Sequence, residues 1–194
     1  MPGVSWRAAG WRSDVFIPMP ESSLILNAAA IQRALTRIAH EIAERNEPGA
    51  EVVLAGIPLV GDQLAHRLGK ILSEIWKLPV PVGVLDVSMH RDDLDQRAAP
   101  TIHPTVMPFD VNGKTVVLVD DVLFTGRTTR AALDALNDFG RPKCVQLAVL
   151  VDRGHRELPV RADFVGKNVP TAIGEKVRVR LDQPGQPDDV VLEK

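Results

Sequence analysis

The 194 residues contain one cysteine, no apolar run long enough to cross a membrane, and a formal net charge of only −2 at pH 7. The single Cys144 excludes an internal disulfide and fits a reducing compartment. It stands where a strand is expected to begin and reads most simply as a small buried apolar residue. The missing apolar run excludes a membrane-spanning helix. The N-terminus lacks the short apolar core of a signal peptide, so a cytoplasmic location is expected. Near-neutral charge gives no overall nucleic-acid signature, and any such binding has to come from a local patch. No internal repeat or low-complexity domain is visible, and the length suits one α/β domain with a full core.

The most informative segment is VVLVDDVLFTGRTT at 116–129. Val116, Val117, Leu118 and Val119 form a continuous apolar run rich in β-branched residues, as in a strand covered on both faces and hence in a parallel sheet. The chain is expected to turn at the carboxyl end of that strand, where open α/β sheets bind ligands. Asp120 and Asp121 put carboxylates there, able to accept hydrogen bonds from vicinal ribose hydroxyls or to hold a hydrated Mg²⁺. Thr125, Gly126, Arg127, Thr128 and Thr129 follow, and Ala131, Ala132, Leu133 and Leu136 continue at helical spacing. Free N–H groups at that helix start, the positive end of its dipole and three Thr hydroxyls suit a phosphomonoester. Carboxylates for the sugar and amides for the phosphate describe a sugar-phosphate pocket. A plainer doubly wound protein with acidic residues at a strand end, as in response-regulator receivers or haloacid-type phosphatases, accounts for the Asp pair alone.

Along the chain, residues 1–13 hold Trp6 and Trp11 without periodicity and read as an extension, leaving 14–194 as a single domain. Asn27 is a candidate cap for a helix whose apolar face is Ile31, Leu35, Ile38 and Ile42, ended by Asn46, Pro48 and Gly49. A strand over Glu51–Ala55 leads through a Gly-Ile-Pro turn into a helix over Asp62–Trp76, and a strand over Val80–Val87 follows. The proline-punctuated stretch 89–110 is too long for a simple connection and reads as an ordered hairpin or a flap. After the motif helix, stopped by Gly140, come a strand over Lys143–Val151, a basic loop over Arg153–Asp163, a short strand at Phe164–Val165 and a last strand over Lys176–Leu181 before a Pro/Gly/Asp-rich tail.

With the first helix's core face on Ile31, Leu35 and Ile42, a step of about 100° per residue puts Arg33, Thr36, Arg37 and His40 on the opposite face. An ordinary solvated surface explains such a face, and Glu41 and Glu44 partly neutralise it. A second basic cluster, Arg153, His155, Arg156 and Arg161, makes it a candidate binding surface if the fold sets the two side by side. Both readings stay open on these residues alone.

The strings RALTRIAHEIAERN (33–46), HRDDL (90–94), VVLVDDVLFTGRTTRAALDAL (116–136), GRPK (140–143) and QLAVLVDRGHRELPVRADFVGKNVPT (146–171) resemble the pyrimidine operon attenuation regulators, the PyrR family. The resemblance runs from about Leu26 to Leu181. It implies the type I phosphoribosyltransferase fold: an α/β domain with a central, mostly parallel sheet flanked by helices, a flap over about 89–110, and a small C-terminal hood. It also implies two activities, binding of a pyrimidine-gene mRNA leader in response to UMP or UTP, and synthesis of UMP from uracil and phosphoribosyl pyrophosphate (PRPP) with Mg²⁺. Carried onto this sequence, Asp120 and Asp121 would orient the ribose and meet the Mg²⁺ of Mg-PRPP, directly or through water. Thr125 to Thr129 would hold the 5-phosphate, Gly61 would lie in the PRPP loop, and Arg91 in the flap would close over pyrophosphate. Lys167, Asn168 and Val169 would recognise the base. Thr36, Arg37, His40, His155, Arg156, Arg161 and Lys167 would contact RNA on a homodimer or higher homo-oligomer.

The chain departs from its relatives at Leu59 and Val60, where the family usually has Thr and Arg for the leaving pyrophosphate. Phe124 replaces a frequent Tyr, and Ala172 a Ser. Losing a positioned cation from a charge-developing transition state costs on the order of 10²-fold in rate. The expectation is therefore a nucleotide-sensing regulator with weak or lost transferase activity, set against a uracil salvage enzyme without RNA control. A purine-type salvage transferase fits less well, because Phe124 takes the place where those enzymes often have a catalytic Asp.

Overall fold

The computed structural model describes residues 22–48, 51–90 and 104–194. The 1–13 extension, Arg91 and residues 91–103 of the flap segment lie outside the described residues. The elements in chain order are β1 (Ser22–Asn27), α1 (Ala28–Arg45), β2 (Val52–Gly56), α2 (Val60–Trp76), β3 (Val82–Val84), a 3₁₀ turn (Ser88–His90), β4 (Thr115–Leu123), α3 (Arg127–Asn137), β5 (Cys144–Asp152), β6 (Phe164–Asn168), β7 (Lys176–Arg180) and β8 (Asp189–Glu193).

Five strands form a parallel sheet in the order β3-β2-β4-β5-β6, the α/β architecture expected from the sequence. The alternation of side chains along β4 explains why its apolar run is continuous. Val117 and Val119 pack into a core that α1 and α2 cover through Ile31, Leu35, Ile38, Leu64 and Leu68. Val116 and Leu118 point to the opposite core, closed by Ala131, Ala132, Ala135 and Leu136 of α3. Both faces of the sheet are thus buried, and the strands' carboxyl ends are the free margin. Helix α1 starts where the sequence places it, with Asn27 Oδ1 accepting the Ala30 N–H at 2.9 Å.

Several boundaries differ for physical reasons. β4 does not turn after Val119; it continues to Leu123 because β5 runs beside it, pairing Asp120 with Val149 and Leu123 with Asp152. The Asp pair therefore belongs to a hydrogen-bonded strand. β3 is confined to Val82–Val84, since Pro79 and Pro81 remove ladder donors just before it. Helix α2 begins at Val60, two residues early, and α3 ends at Asn137, short of Gly140. Cys144, expected to be buried, is exposed at the first residue of β5.

The hood is a three-stranded antiparallel sheet, β1-β8-β7, built from both ends of the chain. Ser22 pairs with Glu193 and Asn27 with Asp189, and the segment read as a tail supplies β8. Arg67 of α2 anchors this hood, donating to Asp188 Oδ2 at 2.6 Å and Asp182 Oδ1 at 2.7 Å. The Arg67 hydrogen bond outweighs burial and holds the Asp188 carboxyl below its ordinary range.

Candidate functional site

The site lies along the carboxyl ends of β2, β4, β5 and β6. At the end of β4, Asp120 is buried and Asp121 half-buried. Asp120 Oδ1 accepts the Asp121 N–H, and Asp121 Oδ1 accepts the Val122 N–H, both at 2.9 Å. These bonds help to fix the orientation of both carboxylates.

The chain then enters α3 through Gly126, whose φ of 93° is in the left-handed region. A Cβ there would also meet the Val160 side chain at 3.1 Å, so this turn takes glycine on two counts. No side chain caps α3. The Arg130 N–H donates to Gly126 O at 3.0 Å, and the helix start ahead of that bond has the form of an anion cradle. The Arg127 N–H makes a long 3.4 Å bond to Thr125 Oγ1. Thr129 Oγ1 is buried with no hydrogen-bond partner among the described residues. Arg127 pairs through Nε with Glu157 at 2.7 Å.

The second loop, Gly56–Gly61, follows β2. It is wedged against β4: the Ile57 N–H donates to Val119 O at 2.9 Å, and a Cβ on Gly61 would sit 2.5 Å from that same carbonyl. The backbone is therefore held tightly while the side chains it offers are apolar. Leu59 is 64 % exposed and Val60 half-buried. Gly56 to Gln63 contains no basic residue. The polar groups that follow, Asp62 Oδ1 and Gln63 Oε1, are buried acceptors with no partner among the described residues. Arg67, four residues on, is committed to the hood.

Beyond β5 and β6 lies a cavity of about 440 Å³ lined by Asp152, Arg153, Gly154, His155, Asn168, Val169, Pro170 and Thr171. Asn168 and Val169, expected to recognise the base, line this cavity, and Lys167 is exposed on β6 beside them. Sequence reasoning missed Asp152, Arg153 and Thr171. Arg153, read as part of a basic surface cluster, is only 6 % exposed. Its guanidinium carbon lies 4.0 Å from the Phe124 ring centroid, and it donates to Thr171 Oγ1 at 3.1 Å and Ala172 O at 3.0 Å. Burial draws its pKa below the ordinary value, with Glu175 opposing. No feature of the string itself distinguishes this inward arginine from its outward neighbours.

The basic residues divide into two groups. Arg33, Arg37 and His40 are exposed on α1, with Thr36 half-buried and bonded to Gln32 O. Arg37 pairs with Glu41 and donates from Nη2 to Val165 O at 3.0 Å and Gly166 O at 2.6 Å. The fold therefore lays the basic face of α1 against β6, next to Lys167. Arg161 lines an adjoining concavity with Arg45, whose guanidinium binds Asp163 at 2.6 Å. His155 and Arg156 lie on the pocket side: His155 Nε2 is 2.6 Å from Thr171 O, and Arg156 turns its guanidinium into the protein.

Among the described residues, no group of three or more His, Cys, Asp and Glu side chains gathers as a metal cage. Two carboxylates at a strand end instead suit a Mg²⁺ that arrives on substrate phosphates. Also among the described residues, no helix is long and apolar enough to cross a membrane.

The family model described as phosphoribosyl transferase domain matches residues 21–184. A protein from Roseiflexus sp. (strain RS-1) named Bifunctional protein PyrR is 62% identical over 160 residues, 82% of this chain and 87% of that one. A protein of the same name from Chloroflexus aurantiacus is 57% identical over 175 residues, covering 90% and 96%. The chain belongs to the PyrR family. The resemblance read from its motifs is thereby borne out, as is the phosphoribosyltransferase fold. Among solved structures, the hypoxanthine phosphoribosyltransferase of Trypanosoma cruzi superposes with a TM-score of 0.65 at 20% identity over 89% of this chain and 96% of that one. That of Staphylococcus aureus superposes with a TM-score of 0.61 at 19% identity, covering 78% and 80%. At that identity the likeness is one of fold.

Proposed function

We propose that this PyrR-family chain is a cytoplasmic, uridine-nucleotide-responsive RNA-binding regulator of pyrimidine biosynthesis genes, in which transfer of phosphoribose from PRPP to uracil is weak. One observation carries the reading: Arg37 of the basic α1 face holds the β6 carbonyls of Val165 and Gly166, immediately before the residues that line the base side of the pocket. A surface for RNA and a pocket for a nucleotide thus share a strand. The exposed basic side chains of Arg37, His40, Arg161 and Lys167, with Thr36 beside them on α1, suit phosphates and the splayed bases of an RNA loop. The assembly is a homodimer or higher homo-oligomer.

In the transfer reaction, N1 of uracil forms a bond to the anomeric carbon as the bond to pyrophosphate breaks and the electron pair leaves with the diphosphate. Asp120 and Asp121 hold the ribose hydroxyls, and the α3 amides with Thr125, Thr128 and Thr129 hold the 5-phosphate. Asn168 and Val169 face the base. Asp120 and Asp121 would meet the Mg²⁺ of Mg-PRPP, directly or through water, and that ion would supply charge neutralisation at the diphosphate. Leu59 and Val60 offer the departing diphosphate neither a side-chain hydrogen bond nor a charge, which is the reason for slow transfer. Without that step, UMP or UTP occupies the same site as a signal.

Titration of a pyrimidine-gene leader RNA with the protein, with and without UMP, tests the reading. Tighter binding with UMP, weakened by Arg37→Ala, is expected. Equal and negligible RNA affinity for the parent and for Arg37→Ala would overturn it. The intact phosphate loop favours one second reading, a uracil phosphoribosyltransferase without RNA control, which requires rapid UMP formation and no RNA binding.

A further inference from the structure

The loop after β5 and the phosphate-binding loop after β4 are one hydrogen-bonded unit. Glu157 and Leu158 donate their N–H groups to Thr125 O at 3.0 and 3.1 Å, and Arg153 donates its own to Leu123 O at 3.1 Å. Val160 packs on Gly126 at the distance that excludes a Cβ there. At the centre of this unit is the Arg156 side chain, only 23% exposed. Its Nη1 donates to Phe124 O at 2.8 Å and Gly154 O at 3.1 Å, its Nε to Val160 O at 3.1 Å, and its Nη2 to the Asp152 carboxylate. Asp152 is itself part of the base-side wall. Its other oxygen accepts the Gly154 N–H at 2.9 Å and its carbonyl accepts the Val169 N–H at 2.8 Å.

One guanidinium therefore fastens the backbone of the phosphate loop to the floor of the base cavity. The geometry points to Arg156 as a positioning residue of the nucleotide pocket, setting the phosphate loop's conformation from outside it. This rests on the reading of the pocket as a ribose 5-phosphate site, and it gives Arg156 a task separate from RNA contact. Only a planar fork with five donors reaches acceptors on three segments at once; a lysine ammonium has three donors at a single point. Removing the fork leaves Oδ2 of the half-buried Asp152 and the Phe124 carbonyl without the Arg156 donor and loosens the turn at Gly126. Nucleotide binding, which tightens Thr125–Thr129, then acts on the residue from which the basic loop hangs, so the state of the pocket and the shape of that loop are linked.

Calorimetric titration with UMP in the absence of RNA tests this, because a residue that only touches RNA leaves that affinity unchanged. The set is the parent, Arg156→Gln, Arg156→Lys and, as control, Arg141→Gln, an exposed arginine at the opposite end of the sheet. Loss of a charged hydrogen-bond hub predicts UMP binding about 10-fold weaker or more in Arg156→Gln. Arg156→Lys recovers part of it, and the control matches the parent. Amide exchange at Thr125–Arg127 accelerates in both Arg156 variants more than elsewhere in the sheet. If Arg156→Gln does not fold, Arg156→Lys decides by the same two readouts. Parent-like UMP affinity and exchange in the folded Arg156 variants overturn the positioning role. A parent that does not bind UMP overturns the pocket reading itself, and the role with it.

Discussion

Two loops at the ends of neighbouring parallel strands have different chemistry. The loop after β4 presents paired carboxylates, a left-handed glycine and uncapped helix amides. The loop after β2 is anchored to β4 just as firmly, through Ile57 and Gly61, yet it exposes Leu59 and Val60 and contains no cation. Backbone placement and side-chain chemistry are thus separable: the first loop offers polar groups suited to a ribose 5-phosphate, while the second offers a departing diphosphate no charged side chain. On the proposed reading, this contrast is what lets one pocket keep a nucleotide while transfer is slow.

The contrast breaks most completely in Asp120→Asn/Asp121→Asn. Removing two charged acceptors weakens UMP binding by about 100-fold or more, read by calorimetry, with the fold retained. Parent-like affinity would place the ribose elsewhere. The contrast sharpens in Leu59→Thr/Val60→Arg, which returns a hydroxyl and a cation to the second loop. UMP formation from uracil and PRPP then rises on the order of 10²-fold while UMP affinity stays level. An unchanged rate would show that the second loop does not limit transfer.

Smaller effects follow farther from the pocket. Arg37→Ala lowers leader-RNA affinity about 10-fold, and the slope of log affinity against log salt becomes shallower by roughly one contact, about 0.7. An unchanged slope would remove Arg37 from the RNA surface. The hood gives the smallest effect. Because Arg67 depresses the Asp188 carboxyl, this pair adds stability above the unfolded carboxyl range, and the gain is lost as pH falls through the folded value. Asp188→Asn therefore melts below the parent near neutral pH by about 1 kcal/mol or less, and the two melting temperatures converge in acid. A gap that persists in acid would assign the hood's anchoring to packing instead.

Much of this was readable in the sequence where the signal is local. The apolar run of β4, the Asn27 cap and the left-handed Gly126 turn each depend on residues within one or two turns of chain, and each is where the pattern puts it. What was not legible depends on distant partners. β1 and β8 pair across the whole described length of the chain, Ser22 with Glu193, so neither short segment announces itself. The extension of β4 to Leu123 required β5 alongside. Arg153 and Arg156 look in the string like Arg161, yet two are drawn inward by carbonyls of other segments and one faces solvent. The placement of Arg37 of α1 against the β6 carbonyls is likewise a product of tertiary structure, as is the split of the second basic run, which leaves Arg161 exposed while Arg153 and Arg156 turn inward.

The central claim is that the first loop binds while the second fails to help, and the ratio of two quantities measured on one preparation tests it most directly: UMP affinity by calorimetry and the steady-state rate of UMP formation from uracil, PRPP and Mg²⁺. The account predicts firm UMP binding with a rate on the order of 10²-fold below that of ordinary salvage enzymes. Firm binding together with turnover matching those enzymes would contradict it.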